Sequence, residues 1–290
     1  MKEQDVENIE RYEQKFLVSP RESDEVRRLI APYCQPDRAT RGGPYQVMSL
    51  YLDGEHLPLY KSTRTGDSVR LKLRARTYGS GSVYLEIKRK VRGMIWKSRA
   101  CITDEVWRAL FQDRSTTRQA QREHLSSLSS SEAKTYREFI YWRDRYQATP
   151  QVWVDYSREG YQSLDESYAR VTFDTQLRGA PPRGYMLPNA LIDHQRGLRW
   201  RHLDYGDKLK SRRADVVIEL KSERSVPDWM SELSRHLNHG AVGVSKYGLA
   251  IEHIHSGFLI KQRGHIRELV PSARLGRPAD SSMAPDERWR

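Results

Sequence analysis

Residues 69–76 read VRLKLRAR, and this stretch decides the fold. Apolar residues occupy every second position: Val69, Leu71, Leu73 and Ala75. The positions between them are all basic: Arg70, Lys72, Arg74 and Arg76. Alternation with a period of two predicts a half-buried β-strand, with an apolar face and a face that carries four cations.

A face of four cations is electrostatically unfavourable. Residues two apart on a strand lie roughly 7 Å from each other on the same face. At an effective dielectric constant of about 20, two like charges at that distance repel by about 2 kcal/mol. For a single strand, a basic face exposed to water explains the pattern equally well. The choice between an exposed and an enclosed face therefore depends on the other strands.

The composition indicates a soluble protein with an anionic partner. The chain has 290 residues, of which 37% are hydrophobic and 30% charged, and its formal net charge is +12. Such an excess of basic residues indicates nucleic acid, a membrane surface or a phosphate-rich molecule as the partner. Two cysteines are too few for a disulfide framework or a cysteine-based zinc site, which favours a reducing compartment.

No targeting signal is evident in the sequence. No apolar run approaches the ~20 residues that span a bilayer, and the acidic, polar start MKEQDVENIERYEQK does not resemble a signal peptide. We therefore expect a cytoplasmic protein.

Strand-like segments outnumber helical ones. We predict strands over residues 11–19, 46–53, 68–79, 82–90, 93–102, 151–163, 168–177, 214–222 and 246–254. We predict helices from Ser23 to Ile30, from Thr103 or Asp104 to Phe111, from Ser131 to Tyr146, and after Pro227. This pattern predicts one β-dominated α+β domain over residues 1–262, either a barrel or a curled sheet, with flanking helices. The polar residues 263–290 are expected to form a disordered tail.

Basic residues recur at alternate positions in at least six strands, with glutamates among them. The residues concerned are Arg11, Glu13, Lys15, Glu86, Lys88, Lys90, Lys97, Arg99, Arg158, Arg170, Glu219 and Lys221. The alternation does not tell which face of the sheet is enclosed. If the basic faces point inward, they form a cationic tunnel that suits a linear chain of phosphates, and the glutamates are suited to a divalent metal.

Nine short motifs resemble those of VTC (vacuolar transporter chaperone) domains and occur in the same order. They are RYEQKF (11–16), SLYLD (49–53), LKLRARTYG (71–79), LEIKRK (85–90), WKSRA (96–100), SREGYQ (157–162), ARVTFDT (169–175), IELK (218–221) and VSKYG (244–248). The resemblance covers roughly residues 9–255.

This resemblance implies a triphosphate tunnel fold, in which antiparallel strands close into a barrel with a basic lumen. It implies a polyphosphate polymerase that passes the γ-phosphoryl group of ATP to a growing polyphosphate chain with Mn²⁺ or Mg²⁺. The residues implied to carry catalysis are Arg74, Arg76, Lys88, Lys97, Arg170 and Lys246. Those implied to bind substrate are Lys15, Arg158 and Ser245, to which strand parity adds Lys90 and Lys221. The metal-ligand position falls on Glu219.

The sequence departs from the related patterns at two places. Tunnel-fold hydrolases begin with E-x-E-x-K, whereas Arg11 replaces the first acid here, which favours the polymerase branch. VTC domains usually carry a basic residue two positions before the Ser-Lys pair, where this chain has Gly243. Either one substrate-binding cation is missing, or it is supplied by the irregular segment that contains Lys210, Arg212 and Arg213.

Two other functions fit the same residues. A tripolyphosphatase or nucleoside triphosphatase would use the same tunnel with water as the nucleophile. A non-catalytic polyphosphate-binding module would need no metal. A specific nucleic-acid partner is not expected, because the sequence has no helix-turn-helix, zinc-finger or RNP-type pattern. Polyphosphate synthesis is often coupled to translocation, and we expect any membrane subunit to be a separate chain that holds this one at the membrane.

Overall fold

Ten β-strands form one antiparallel sheet in the part of the chain that this computed structural model describes. That part comprises residues 11–78, 81–92, 94–108, 111, 123, 125–165, 168–187, 198–203, 216–223, 225–237 and 245–255. The strands are β1 (Arg11–Val18), β2 (Cys34–Pro36), β3 (Tyr45–Asp53), β4 (Val69–Thr77), β5 (Ser82–Val91), β6 (Met94–Thr103), β7 (Thr149–Ser163), β8 (Ala169–Ala180), β9 (Arg201–His202) and β10 (Val216–Glu223). Their order is β1-β10-β8-β7-β3-β4-β5-β6, with β2 paired to β7 and β9 to β8.

Six helices flank this sheet within the described residues. They are α1 (Pro20–Ile30), α2 (Pro58–Thr65), α3 (Asp104–Trp107), α4 (Ser130–Arg145), α5 (Asp228–His236) and α6 (Lys246–Ile254). Capping boxes begin two of them: Ser19 with Glu22 starts α1, and Ser129 with Glu132 starts α4. In a capping box the serine side chain satisfies an orphan backbone N–H of the first turn, which defines where the helix begins.

The sheet is curled and is not closed by hydrogen bonds. Within the described residues no hydrogen-bonded register joins the edge strands β1 and β6, so the barrel closure implied by the resemblance is not present as a backbone ladder. The two edges are connected through side chains instead, because Lys97 of β6 lies 3.6 Å from the carboxylate of Glu13 on β1. We refer to this junction between β1 and β6 as the seam.

The apolar face of the sheet points outward and is covered by helices. Leu71, Leu73 and Ala75 of β4 lie in a buried cluster with apolar residues of β5 and with Phe139 of α4. A second cluster packs α1 and α5 on the strands around β10, through contacts such as that of Val26 with the strand residues. The hydrophobic core therefore lies between sheet and helices, and the charged strand faces point to the inside of the curl.

Most of the predicted architecture is confirmed, one element is wrong, and helix α1 begins at Pro20 with Ser19 as its cap and not at Ser23. The β-dominated α+β class and eight of the nine predicted strands are present. Residues 246–254 form helix α6, not a strand. A short apolar run does not distinguish a buried strand from a buried helix, and the decisive signal is Ser245, whose Oγ accepts a hydrogen bond from the backbone N–H of Gly248. The predicted disordered tail lies outside the described residues.

Asp53 fixes the two helices that stand next to the inner face of the sheet. Its fully buried carboxylate accepts hydrogen bonds from the backbone N–H groups of Gly54, Leu59 and Tyr60 at 2.8–3.0 Å. It also accepts one from the hydroxyl of Tyr247, at 2.6 Å. One carboxylate at the end of β3 therefore holds both the start of α2 and the first turn of α6.

We expect Asp53→Ala to lower the free energy of unfolding by about 2–4 kcal/mol, because three backbone donors and one hydroxyl lose their buried acceptor. Urea denaturation followed by tryptophan fluorescence measures this change. Asp67→Ala is the matched control, since the exposed Asp67 bonds only the side chain of Thr65 among the contacts described, and surface changes are usually within about 0.5 kcal/mol. Equal destabilisation by both variants would contradict this role of Asp53.

Candidate functional site

The inward faces of the strands enclose one strongly basic cavity. It has a volume of about 680 Å³. The cationic side chains that line it are Lys15, Lys72, Arg74, Arg76, Lys88, Lys97, Arg99, Arg158, Arg170, Lys221 and Lys246. Only three carboxylates line it in the described structure: Glu13, Glu86 and Glu219. We call this space the basic cavity.

The structure brings together eleven of the twelve site residues predicted from the sequence. Those that line the basic cavity are Lys15, Arg74, Arg76, Lys88, Lys97, Arg158, Arg170, Glu219, Lys221, Ser245 and Lys246. Lys90 does not line it. Lys90 pairs across the sheet with Arg70, and neither residue is part of the cavity wall. Strand parity placed Lys90 on the correct face, but it does not tell where along a strand the cavity ends.

Three lysines form one cross-strand row in the cavity wall. Lys72 of β4 pairs with Lys88 of β5, which pairs with Lys97 of β6. Directly opposed residues in an antiparallel pair have Cβ atoms only about 4.5–5.5 Å apart, and like charges there are destabilising. Burial, followed by the charges of Lys88 and Lys15, lowers the pKa of Lys72 to about 7.

The next row carries arginines around a carboxylate. Glu86 pairs with Arg74 on one side and with Arg99 on the other. Its oxygens lie 2.5 Å from Arg74 Nε, 3.8 Å from Arg76 Nη1 and 3.5 Å from Arg99 Nε. Burial opposes ionisation of Glu86, but Arg74 and Arg76 outweigh it and hold its pKa below the usual value. Glu86 therefore orients three guanidinium groups towards one region of the cavity.

Glu13 performs the same role for lysines at the seam. Its carboxylate lies 2.6 Å from Lys15 and 3.6 Å from each of Lys88 and Lys97. Burial and the charge of Glu219 act to raise the pKa of Glu13. The charges of Lys15, Lys88 and Lys221 outweigh both effects, so that the pKa of Glu13 lies below its usual value. One carboxylate thus holds three ammonium groups from three strands.

Glu219 is the most strongly cation-bound carboxylate of the cavity. Lys221 lies 2.8 Å from it, Lys15 3.2 Å and Arg158 3.9 Å. Burial disfavours its charge, but Lys221 and Lys15 hold the pKa of Glu219 well below its usual value. Glu219 is therefore an anion at any pH near neutrality.

A buried ion-pair cluster connects α6 to the sheet. Asp174 of β8 receives two hydrogen bonds from Arg158, at 2.6 and 2.8 Å, and lies 2.6 Å from Lys246 Nζ. Although burial favours the neutral acid, Lys246 and Arg158 lower the pKa of Asp174. Lys246 also lies 4.9 Å from the ring centre of Tyr156. These contacts fix the position of the Ser245-Lys246 pair at the cavity wall.

Six tyrosines of the described structure contribute to the wall of the cavity and were not among the predicted site residues: Tyr45, Tyr51, Tyr78, Tyr84, Tyr156 and Tyr247. Several of them stack on the guanidinium groups, as when Arg99 lies 3.7 Å from the ring centre of Tyr84. Lys72, Glu13, Glu86 and Arg99 were also absent from the predicted site, although each lies in phase with a predicted inward residue. Strand parity, applied to every inward position, was the signal that would have found these polar and aromatic side chains.

The donors present fit a divalent metal that is also held by substrate. Among the described residues there is no group of three or more histidine, cysteine, aspartate or glutamate side chains that would hold a metal alone. Glu13 and Glu219 share Lys15, and the hydroxyl of Thr172, directly opposite Glu219, is buried with no hydrogen-bond partner in the described structure. Mg²⁺ is commonly bound by one or two carboxylates together with substrate phosphates.

The family follows from the match over these strands and helices. The model of the VTC domain matches residues 10–255. The chain belongs to the VTC domain family. VTC domains are generally associated with polyphosphate polymerase activity. Gly243 of this VTC domain, and the alternative cations Lys210, Arg212 and Arg213, lie outside the described residues, so the prediction made for them stays a prediction.

A solved structure is similar to this VTC domain at low identity. The chain is 11% identical to the PH1819 protein from Pyrococcus horikoshii OT3, with a TM-score of 0.40, over 88% of this chain and 99% of that one. No curated protein matches the chain. Among the described residues, no helix is long and apolar enough to cross a membrane.

We expect tripolyphosphate to raise the melting temperature of the VTC domain, because an anion that binds only the folded state relieves the repulsion among the cavity cations. At a concentration about 100 times the Kd, the stabilisation is about 2.7 kcal/mol. Differential scanning fluorimetry at low salt, with and without tripolyphosphate, measures the shift.

The thermal shift should become much smaller in Arg74→Met and stay unchanged in Arg64→Met. Arg64 is the control because it lies on α2, half exposed and outside the cavity wall. The same shift in all three proteins would show that tripolyphosphate binds elsewhere.

Proposed function

We propose that this VTC domain is a metal-dependent polyphosphate polymerase that transfers the γ-phosphoryl group of ATP to the end of a polyphosphate chain. The observation that supports the proposal is the basic cavity itself, in which eleven cations face three carboxylates. An enclosed excess of guanidinium and ammonium groups suits a run of phosphates, since both groups make charge-assisted hydrogen bonds to phosphoryl oxygens.

The reaction requires little covalent chemistry from the protein. A terminal phosphate oxygen of the chain attacks the γ-phosphorus of ATP, the bond from that phosphorus to the β-phosphate oxygen breaks, and ADP leaves. The chain gains one phosphate and ATP loses one. The attacking oxygen is already anionic near neutral pH, so we assign no general base. Catalysis then consists of positioning and of stabilising charge on the transferred group.

Two sets of residues divide these tasks in our proposal. Glu86 holds three arginines together, namely Arg74, Arg76 and Arg99. Their planar guanidinium groups donate hydrogen bonds to phosphoryl oxygens. Lys246, fixed by Asp174, places a further positive charge in the cavity wall. The arginines suit bidentate contacts to phosphate, whereas a lysine acts as a point charge.

Glu219, with Glu13 beside it, would hold Mn²⁺ or Mg²⁺ together with phosphate oxygens of the substrate. When bound, the metal supplies charge neutralisation on those oxygens. Lys221 and Lys15 lie against the Glu219 carboxylate in the described structure, and both ammonium groups would bind phosphate oxygens if a metal were held by Glu219.

In this proposal ATP and polyphosphate are the partners of the domain. It works in the cytoplasm, beside a separate membrane subunit that carries the chain across the bilayer. Burial raises the pKa of the Cys34 thiol to about 12, which keeps this side chain in the unreactive thiol form.

We expect the purified protein, incubated with ATP and Mn²⁺, to make a ladder of long polyphosphate chains on a gel and little free phosphate. Arg74→Ala should reduce the rate by about 10²–10³-fold, because one preorganised donor to the developing charge is lost. Glu219→Gln and addition of EDTA should both abolish synthesis, and Arg64→Ala, which alters an arginine outside the cavity, should not.

The alternative functions give different products in the same assay. Orthophosphate without chains would identify a hydrolase of the same fold. Neither product, with retained binding of polyphosphate, would identify a binding module. Synthesis that survives in Glu219→Gln at the normal rate would refute the metal site.

A further inference from the structure

Lys72 is the member of the lysine row that no carboxylate of the described residues contacts. Lys88 and Lys97 each lie 3.6 Å from Glu13. No carboxylate of a described residue lies within 4 Å of the Lys72 ammonium group, and its hydrogen bond is to Ser245 Oγ, at 3.0 Å. A partly buried cation without a counter-ion is destabilising, so the Lys72 charge is unfavourable to the fold in the absence of a ligand.

The surroundings of Lys72 are cationic on every side that the structure describes. The groups that face it are Lys88 of β5, Lys15 of β1, Arg70 and Arg74 of its own strand, and Ser245 at the start of α6, with Lys246 next to it. The nearby carboxylates are all held by other cations: Glu13 by Lys15, Lys88 and Lys97, Glu86 by the arginines, and Glu219 by Lys221 and Lys15. Among the described residues no carboxylate is therefore left to neutralise Lys72, and a bound anion would supply that counter-charge.

Ser245 links Lys72 to the ligand space. Its Oγ accepts hydrogen bonds from the backbone N–H of Gly248, at 3.1 Å, and from Lys72, at 3.0 Å. A hydroxyl has two acceptor positions and one donor. With both acceptor positions used, the O–H of Ser245 is left to donate into the cavity that Ser245 lines. An ammonium group can only donate, so a charged Lys72 enforces this orientation.

We propose that Lys72 is a phosphate-binding residue of the basic cavity, which takes its counter-ion from a phosphate group of the bound chain and directs the Ser245 hydroxyl onto that group. The inference rests on the proposed function only in that phosphate chains enter the cavity, and it adds Lys72 to the residues implied by the family resemblance. Binding of the chain is then coupled to uptake of a proton by Lys72.

The direction of this coupling follows from the environment. Without ligand, burial and the surrounding cations lower the pKa of Lys72 to about 7. A bound phosphate raises it again, because an opposite charge favours the ammonium form. Below pH 7 Lys72 is charged in both states and contributes fully to affinity. As pH rises above 7 the free protein loses this proton, and its contribution to affinity falls by up to about tenfold per pH unit.

The test is calorimetric titration of tripolyphosphate into the full chain, without metal or nucleotide, between pH 6 and pH 9. The proteins compared are wild type, Lys72→Met, Lys72→Arg and the control Arg70→Met. Arg70 is on the same strand and in the same phase as Lys72, but outside the cavity wall. Repeating each titration in two buffers of different ionisation enthalpy gives the number of protons taken up.

At pH 6.5 we expect Lys72→Met to weaken binding by about 10–100-fold, the loss of one hydrogen bond to a charged group, and Arg70→Met to weaken it less than threefold. Above pH 7 the affinity of wild type should fall relative to Lys72→Arg, whose guanidinium does not titrate. At pH 8 wild type should take up more protons than Lys72→Arg. Titration of the ligand itself cancels in this comparison. Equal affinity of Lys72→Met and wild type, or identical pH dependence of wild type and Lys72→Arg, would overturn the proposal.

A stability measurement separates phosphate binding from a structural role. The lowered pKa means that the Lys72 charge destabilises the fold fully below about pH 7 and progressively less above it. Lys72→Met should therefore raise the melting temperature of the phosphate-free protein at pH 6 and low salt, and this gain should shrink towards pH 9. A merely structural lysine would give a lower melting temperature, and that result would also overturn the proposal.

The outcomes separate this inference from the proposed polymerase. A protein that binds tripolyphosphate through Lys72 but makes no chains would overturn the polymerase and leave the inference standing. A polymerase whose affinity for tripolyphosphate is unaffected by Lys72→Met would overturn the inference alone.

Discussion

Mutual repulsion among the enclosed cations is the constraint on which the rest of this structure depends. At an effective dielectric constant of about 20, neighbouring like charges 5 Å apart repel by about 3 kcal/mol, and the lysine row places such neighbours on adjacent strands. Three carboxylates offset part of this repulsion, each shared among several cations. The positive charge that these carboxylates do not neutralise attracts an anionic ligand. The same charge therefore destabilises the ligand-free fold and binds the ligand.

A sheet with a charged interior needs its hydrophobic core on the outside. The apolar faces of β4 and β5 pack beneath α4, and those of β1, β8 and β10 beneath α1 and α5. The helices are therefore a requirement of the cavity, because without them the outward faces of these strands would be in water. Asp53 and Asp174 connect the start of α6 to the sheet through its first two residues, since Asp53 binds Tyr247 and Asp174 binds Lys246. The site depends in this way on two buried carboxylates that are not among its lining residues.

Most of the correct predictions came from the alternation of apolar and polar residues with a period of two. It identified eight strands and the inward phase of the cavity cations, since the side-chain direction on a strand is a local property of the chain. It did not reveal which face is enclosed, because that depends on the helices that cover the other face. It did not reveal that Glu13 meets Lys97, since their strands are joined only by the curl of the whole sheet. The misassigned segment after Ser245 shows the same limit, because its apolar residues fit either a strand or a helix buried against Tyr51 and Tyr60.

The seam between β1 and β6 has a mechanical consequence. In a closed barrel, strand number and stagger determine the diameter, because every strand is bonded to two neighbours. Here an ion pair from Glu13 to Lys97, across 3.6 Å, takes the place of the last backbone ladder. Within the described residues, the enclosure is therefore held at this seam by charge and not by backbone hydrogen bonds. Such a contact between partly exposed groups is weakened by salt, whereas the ladders between the other strands are not.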